Sequence, residues 1–206
     1  MYALVENNSV TKLFTYPKGF VLNDVQYSAD IFTKWSTAEK NAIGIYEVVT
    51  DSTNKKDEKW YINTNESFTF ANNTVTRSWG TATAKAHADT LWTQQDSDDG
   101  DLPDDKEVGD VKVEGLKTQL IRTIKQQAAG ILQDTDWYVV RKADAGTAVP
   151  SAITTHRAAV RTKAAEMETA ITNAADTPAL ETLYTYTTDD DGNTTRPLGE
   201  LPTLES

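Results

Sequence analysis

The residues best spaced for chemistry are Asp189, Asp191, Asn193 and Glu200. They occupy the first, third, fifth and twelfth positions of a loop, the spacing of oxygen ligands in a helix–loop–helix calcium site. Against calcium, Thr194 holds the sixth position, where the tight turn requires Gly, and Arg196 and Pro197 follow where a small apolar residue and an open backbone are needed. The preferred reading is a polar hairpin turn, with Asp and Gly present for their backbone tolerance. A second acidic stretch, Asp96 to Asp101 with Glu107, has the right number of carboxylates, but Gly100 and Asp101 are out of order. No metal and no cofactor is expected.

Other chemistries find little footing. With no Cys, thiolate nucleophiles, disulfides and Cys-based metal sites are excluded. His87 and His156 are the only imidazoles, and no nucleophile elbow, phosphate-cradling loop or His-Glu-x-x-His accompanies them. Paired carboxylates carry no information in a chain with 31 acidic residues. The sequence is therefore read as that of a non-enzymatic protein. A net charge of −11, without a basic run, argues against nucleic acid and anionic membranes as partners. The opening residues lack the features of a signal peptide and no window is long and apolar enough to span a bilayer, so a soluble protein made in the cytoplasm is expected.

The elements that would position any site follow from periodicity. Residues 1–92 read as a β-rich domain. Tyr2–Val5, Val10–Phe14, Glu58–Ile62, Ser67–Phe70 and Thr74–Arg77 are short, β-branched or aromatic runs, and Asn72-Asn73 suits a hairpin turn. Ser36 and Glu39 have capping-box spacing and open a short helix that Gly44 ends. The Ala-rich run 81–92 predicts a further short helix. Residues 93–111 are acidic and have almost nothing to bury, which predicts a linker or exposed loop.

Residues 112–175 predict an antiparallel helical hairpin. Val113, Leu116, Leu120, Ile124, Ala128, Ile131 and Leu132 form one stripe, and Ile153, Arg157, Val160, Ala164, Met167 and Ile171 form the other. An aromatic elbow from Trp137 to Arg141 lies between them. Residues 176–206 read as a tail ending in a short β-hairpin, with strands near Leu183 and Leu198 around Asp-Gly-Asn. The fold class is α+β: a small N-terminal antiparallel β-rich domain, an acidic linker, a helical hairpin and a hairpin tail. With 38% apolar residues the cores should be thin, and some of the five Trp should meet a partner.

The stretch Arg122-Thr-Ile-Lys-Gln-Gln-Ala-Ala-Gly-Ile-Leu-Gln-Asp-Thr-Asp-Trp-Tyr-Val-Val-Arg141, a Gly/Pro loop, and Pro150-Ser-Ala-Ile-Thr-Thr-His-Arg-Ala-Ala-Val-Arg161 is the most distinctive. Over residues 112–175 it resembles the C-terminal module of bacteriophage tail-fibre assembly proteins and tail assembly chaperones. That module runs as a helix, an Asp-Trp motif, a loop ending in Pro, and a helix with a Tyr-Arg-x-x-Leu-Arg-like pattern. Asp136-Trp137, Pro150, Arg157 and Arg161 match it, whereas His156 and Val160 replace the usual aromatic and Leu. Residues 32–48, ending Gly44-Ile-Tyr-Glu-Val48, resemble the helix-plus-strand of small phage tail proteins.

The resemblance implies a protein that binds a tail fibre or other tail protein and assists its folding or assembly. It would be oligomeric within an assembly and found in the virion tail, the host cytoplasm, or both. The alternative is a permanent adaptor or fibre-associated subunit of the tail. Trp137, Tyr138, Arg141, Arg157 and Arg161 are the candidate partner-binding residues, the rings as anchors and the Arg as planar donors. For Trp137 a second role, closing the helical hairpin, stays open.

Overall fold

The computed structural model describes residues 1–204, so the last two residues of the expected tail, 205 and 206, lie outside the described residues. The chain is mixed α+β and divides into two units, Met1–Thr83 and Ala84–Ser206.

In the first unit three hairpins use the same device. Asn7-Asn8 joins β1 (Tyr2–Glu6) to β2 (Ser9–Phe14), Asn23-Asp24 joins β3 (Phe20–Leu22) to β4 (Val25–Tyr27), and Asn72-Asn73 joins β7 (Ser67–Ala71) to β8 (Thr74–Ser78). All six turn residues have positive φ, between 49° and 62°. Asn and Asp accept this left-handed conformation, and it matches the twist of the flanking strands. The short helices α1 (Ile31–Lys34) and α2 (Thr37–Ala42) follow β4. The expected capping box is present: Ser36 Oγ accepts from the Glu39 N–H at 3.3 Å, and the Glu39 carboxylate accepts from the Ser36 N–H at 2.7 Å. Gly44 ends the turn at φ +81°, where a Cβ would lie 2.7 Å from the Val5 carbonyl oxygen. Its absence lets β5 (Ile45–Thr50) begin directly beside β1.

The five-stranded sheet has the order β2-β1-β5-β8-β7. It is not purely antiparallel as expected. β5 runs parallel to β8, with Val48 opposite Val75, because the chain crosses over through residues 51–66 before the β7–β8 hairpin docks by its second strand. The expected strand 58–62 is reduced to β6 (Tyr61–Ile62), since the Asp57 carbonyl accepts from the Trp60 and Tyr61 N–H groups and holds that segment in a turn. Leu4, Phe14, Phe20, Ile31, Phe32 and Ile45 form the core, with the Phe14 ring 4.8 Å from Phe20 and 5.2 Å from Phe32.

The chain passes to the second unit at β9 (Thr83–Ala84). The Ala-rich run 81–92 is not the expected helix. Its carbonyls serve another one: the Ala86 and His87 oxygens accept from the Leu116 and Lys117 N–H groups at 3.0 Å each, and Asp89 accepts from the Gly115 N–H at 2.6 Å and the Thr118 hydroxyl at 2.8 Å. These bonds satisfy the otherwise unpaired first turn of α4 (Leu116–Gln133), which has no side-chain cap of its own. Gly115 is required there, because a Cβ would fall onto the Ala88 carbonyl.

The acidic stretch 93–111 lies inside the second unit and is ordered. Thr93 and Asp96 form a second capping box on α3 (Gln94–Asp98). The loop is closed where Trp92 and Gly109–Asp110 exchange backbone hydrogen bonds of 2.8 Å, beside the ribbon of β10 (Thr90–Leu91) and β11 (Val111–Val113).

Two long helices, α4 and α6 (Ser151–Asn173), pack antiparallel. Lys117 Nζ donates to the Thr172 carbonyl at 2.8 Å, and Lys125 pairs with Glu168 at 3.4 Å further along. The expected stripe of α6 is buried throughout, from Ile153 to Ile171. On α4, Leu116, Leu120, Ile124 and Ala128 are buried, but Val113 belongs to β11 and is exposed. The elbow is itself a helix, α5 (Asp136–Ala145), ended by Gly146 in the left-handed region. After α6, Asp176 caps α7 (Thr177–Tyr184), so the expected strand near Leu183 is helical. The tail hairpin shrinks to β12 (Thr187–Thr188) and β13 (Thr194–Thr195). Among the described residues no helix is long and apolar enough to cross a membrane.

Candidate partner-binding surface

The corner between α4 and α5 is built around Arg157. Its guanidinium donates to the Leu132 carbonyl at 2.7 Å, to Thr135 Oγ1 at 2.6 Å and to Asp136 Oδ1 at 2.7 Å. The Thr135 hydroxyl donates in turn to the Leu132 carbonyl at 2.9 Å. One planar fork from α6 thus gathers the last turn of α4 and the first residue of α5, a geometry that Lys cannot reproduce. Arg157 is 8% exposed, and Thr135 beside it is 3% exposed. This corrects the expectation that Arg157 presents donors to a partner. It lies on the buried stripe of α6, and its charge is spent inside the unit. Arg161 is exposed one turn further along α6, with a long 3.4 Å contact to the Arg157 carbonyl.

The corner sets the direction of α5, which buries none of its ten residues. Trp137 is 51% exposed, Val139 45% and Val140 65%. The Trp137 and Tyr138 rings lie 3.8 Å apart between centroids, and the Arg141 guanidinium carbon sits 4.7 Å from the first and 5.3 Å from the second. Arg141 Nε is buried and has no hydrogen-bond partner among the described residues. Three of the five candidates, Trp137, Tyr138 and Arg141, therefore form one surface, with Arg157 beneath the corner and Arg161 on another helix. Val139 and Val140 are exposed as well, but at about 3.6 residues per turn Val139 points away from the Trp137 side of the helix. Trp-Tyr-Val-Val is four consecutive large apolar residues, which run round a helix so that no single buried face can take them all.

The calcium candidates do not converge. Asp189 accepts from the Asp191 and Asn193 N–H groups and from Asn193 Nδ2, and these bonds hold its carboxyl below the usual carboxylate range. Glu200 faces away into another set: it pairs with Arg196 at 2.7 Å and accepts from the Tyr186 hydroxyl at 2.6 Å, which pushes the Tyr186 phenol up. Among the described residues no group of three acidic, His or Cys side chains is placed to hold a metal ion. His156 is buried on α6. A cleft of about 480 Å³ lies along α4 and the tail, lined by Gln127, Gly130, Ile131, Met167, Arg196 and Leu201 among others. Neither His156 nor His87 lines it.

No family model, curated protein or solved structure matches the chain.

Proposed function

We propose that this chain is a non-enzymatic phage tail protein that binds a tail fibre, or another tail component, and assists its folding or assembly. The observation that carries the proposal is α5: a helix with a tilted Trp-Tyr pair in contact, two exposed Val and a ring-bound Arg, none of them buried within its own unit. Large exposed aromatics beside Arg are the usual anchors of a protein interface. The resemblance of residues 112–175 to tail-fibre assembly proteins supplies the kind of partner. A fibre chain whose subunits have yet to pair exposes apolar faces and unpaired strand edges, and a helix laid on them would hold them from aggregation until the subunits meet. On this reading the β-rich first unit and the helical second unit are separate modules, and Trp137, Tyr138 and Arg141 make the contact.

The test is co-expression with a trimeric fibre protein encoded in the same genome, measuring the yield of soluble fibre trimer. A higher yield that Trp137→Ala removes supports the proposal, and a yield indifferent to this chain overturns it. Quantitative mass spectrometry of purified particles then separates two fates. A fixed copy number in the particle marks a retained subunit, and absence from it marks a chaperone that leaves.

A further inference from the structure

The second unit holds a buried imidazole that its packing does not explain. His156 is 8% exposed, yet among the described residues no hydrogen bond reaches its ring, and neither ring nitrogen is sealed from solvent. An apolar side chain would fill the same place without desolvating two polar atoms. The ring lines a cavity of about 290 Å³, bounded by Ile131, Asp134 and Thr135 at the end of α4 and by Thr203 and Leu204 of the tail. Ile131 and Asp134 also line the larger cleft of about 480 Å³, whose other walls include Gly130, Met167 and Leu201. The two hollows thus share a wall, with apolar residues on one side of it and an imidazole beside a carboxylate on the other. An apolar cavity of about 150 Å³ holds benzene, so either hollow has room for a small molecule.

The charges around the cavity decide what can enter. Thr135 already donates to the Leu132 carbonyl and accepts from Arg157, and Arg157 is balanced by Asp136. Arg196, on the wall of the larger cleft, is balanced by Glu200 at 2.7 Å. Asp134 is left: among the described residues its carboxylate takes part in no ion pair and no hydrogen bond. It stands at the C-terminal end of the 18-residue α4, where the helix dipole also favours positive charge. An anion would meet this carboxylate and, among the residues lining either hollow, no unbalanced cation. A purely apolar molecule would leave Asp134 and His156 without partners. We propose that the cavity binds a primary ammonium group carried on an apolar body. The ammonium donates to the Asp134 carboxylate and to the unprotonated ring nitrogen of His156, and the body lies on Ile131 toward Met167 and Leu201. The inference goes beyond the proposed function and uses none of the α5 surface residues.

The probe is phenethylamine, compared with its uncharged analogue 2-phenylethanol and with 3-phenylpropionate, which carries the opposite charge. The chain has only two imidazoles, so the ring signals of His156 can be followed by NMR on the full chain at constant neutral pH, with His87 as internal control and His87→Gln for assignment. Millimolar phenethylamine should shift the His156 signals and leave those of His87 in place. 2-Phenylethanol should bind at least about tenfold more weakly, and 3-phenylpropionate should have no effect. Asp134→Asn, at an exposed position, should melt as the wild type does and weaken the amine about tenfold. Gly130→Leu, where an added Cβ meets nothing, places a side chain in the larger cleft and should also weaken the amine. N-acetyl-lysine methylamide separates two sources of the ammonium: tighter binding of phenethylamine assigns a free small amine, and tighter binding of the lysine compound assigns the Lys side chain of a partner. No shift of His156 with either amine, equal affinity for phenethylamine and 2-phenylethanol, or undiminished affinity in either folded variant overturns the proposal.

Discussion

Replacing Arg157 by Met keeps the length of the side chain and removes its five donors. Asp136, whose side chain is 54% exposed, returns to water at little cost, so its ion pair contributes little. The bonds to the Leu132 carbonyl and Thr135 Oγ1 are different, because both lie at a corner where Thr135 is 3% exposed. A hydrogen bond from a charged donor contributes about 1.5–3 kcal/mol, and removing the buried guanidinium gives back part of its desolvation. The expected net loss is about 2–4 kcal/mol, against less than about 1 kcal/mol for Asp136→Asn. Urea unfolding followed by far-UV circular dichroism reads this directly, since the long helices all lie in the second unit. The midpoint should fall without a change in slope. If Arg157→Met is as stable as Asp136→Asn but loses partner affinity, the fork is not a corner staple and Arg157 faces the partner after all.

Two glycines on the same helix region should respond in opposite directions. Gly115→Ala drives a Cβ onto the Ala88 backbone and should cost about 1–3 kcal/mol, whereas at Gly130 a Cβ meets nothing and Ala should stabilise α4 by about 0.5–1 kcal/mol. Thermal melts of the two variants check the pair. Asp96 is held well below the usual carboxylate range, by Lys112 first and then by Thr93. Its contribution is therefore present above the ordinary Asp value of 3.8 and is lost as pH falls below it. Between neutrality and that value the environment of Trp92, whose ring Lys112 covers at 4.3 Å, should stay constant, and it should change in more acid solution; Lys112→Met should move the acid transition up toward the ordinary Asp value, with the Thr93 bonds holding the remainder of the shift. Because Glu200 is engaged by Arg196 and Tyr186, millimolar calcium should leave the melting temperature unchanged. A rise would show that the tail rearranges to bind the ion.

Much of the local structure could be read in the residues themselves. The Ser36–Glu39 box, the Asn72-Asn73 turn and the α6 stripe depend on neighbours within one or two turns, and all stand where spacing put them. Errors arose where distant segments decide. The Ala-rich run 81–92 has helical propensity, yet the Ala86 and His87 carbonyls are taken by the first turn of α4, some thirty residues away. The parallel pairing of β5 with β8 depends on a crossover that no local signal marks. α7 was legible in principle, since Asp176 followed by Pro178 is a helix start, but the β-branched and aromatic residues after it outweighed that signal. Within the candidate surface, Trp137, Tyr138 and Arg141 do come together, as spacing on one helix predicts. Periodicity puts Arg157 on the core stripe, whereas the resemblance puts it on a partner-binding surface. Periodicity prevailed because Leu132, Thr135 and Asp136 supply three acceptors at that point.

The most direct test of the account is the affinity of this chain for a fibre protein from the same genome, measured by light scattering after size exclusion for the wild type and for Val140→Asp. Val140 is 65% exposed, so the variant should melt as the wild type does. A charge placed in the centre of an apolar contact should weaken the complex at least about tenfold. A defined complex that Val140→Asp disrupts is the result the account predicts. No complex with the wild type, or one that the variant forms equally well, contradicts it.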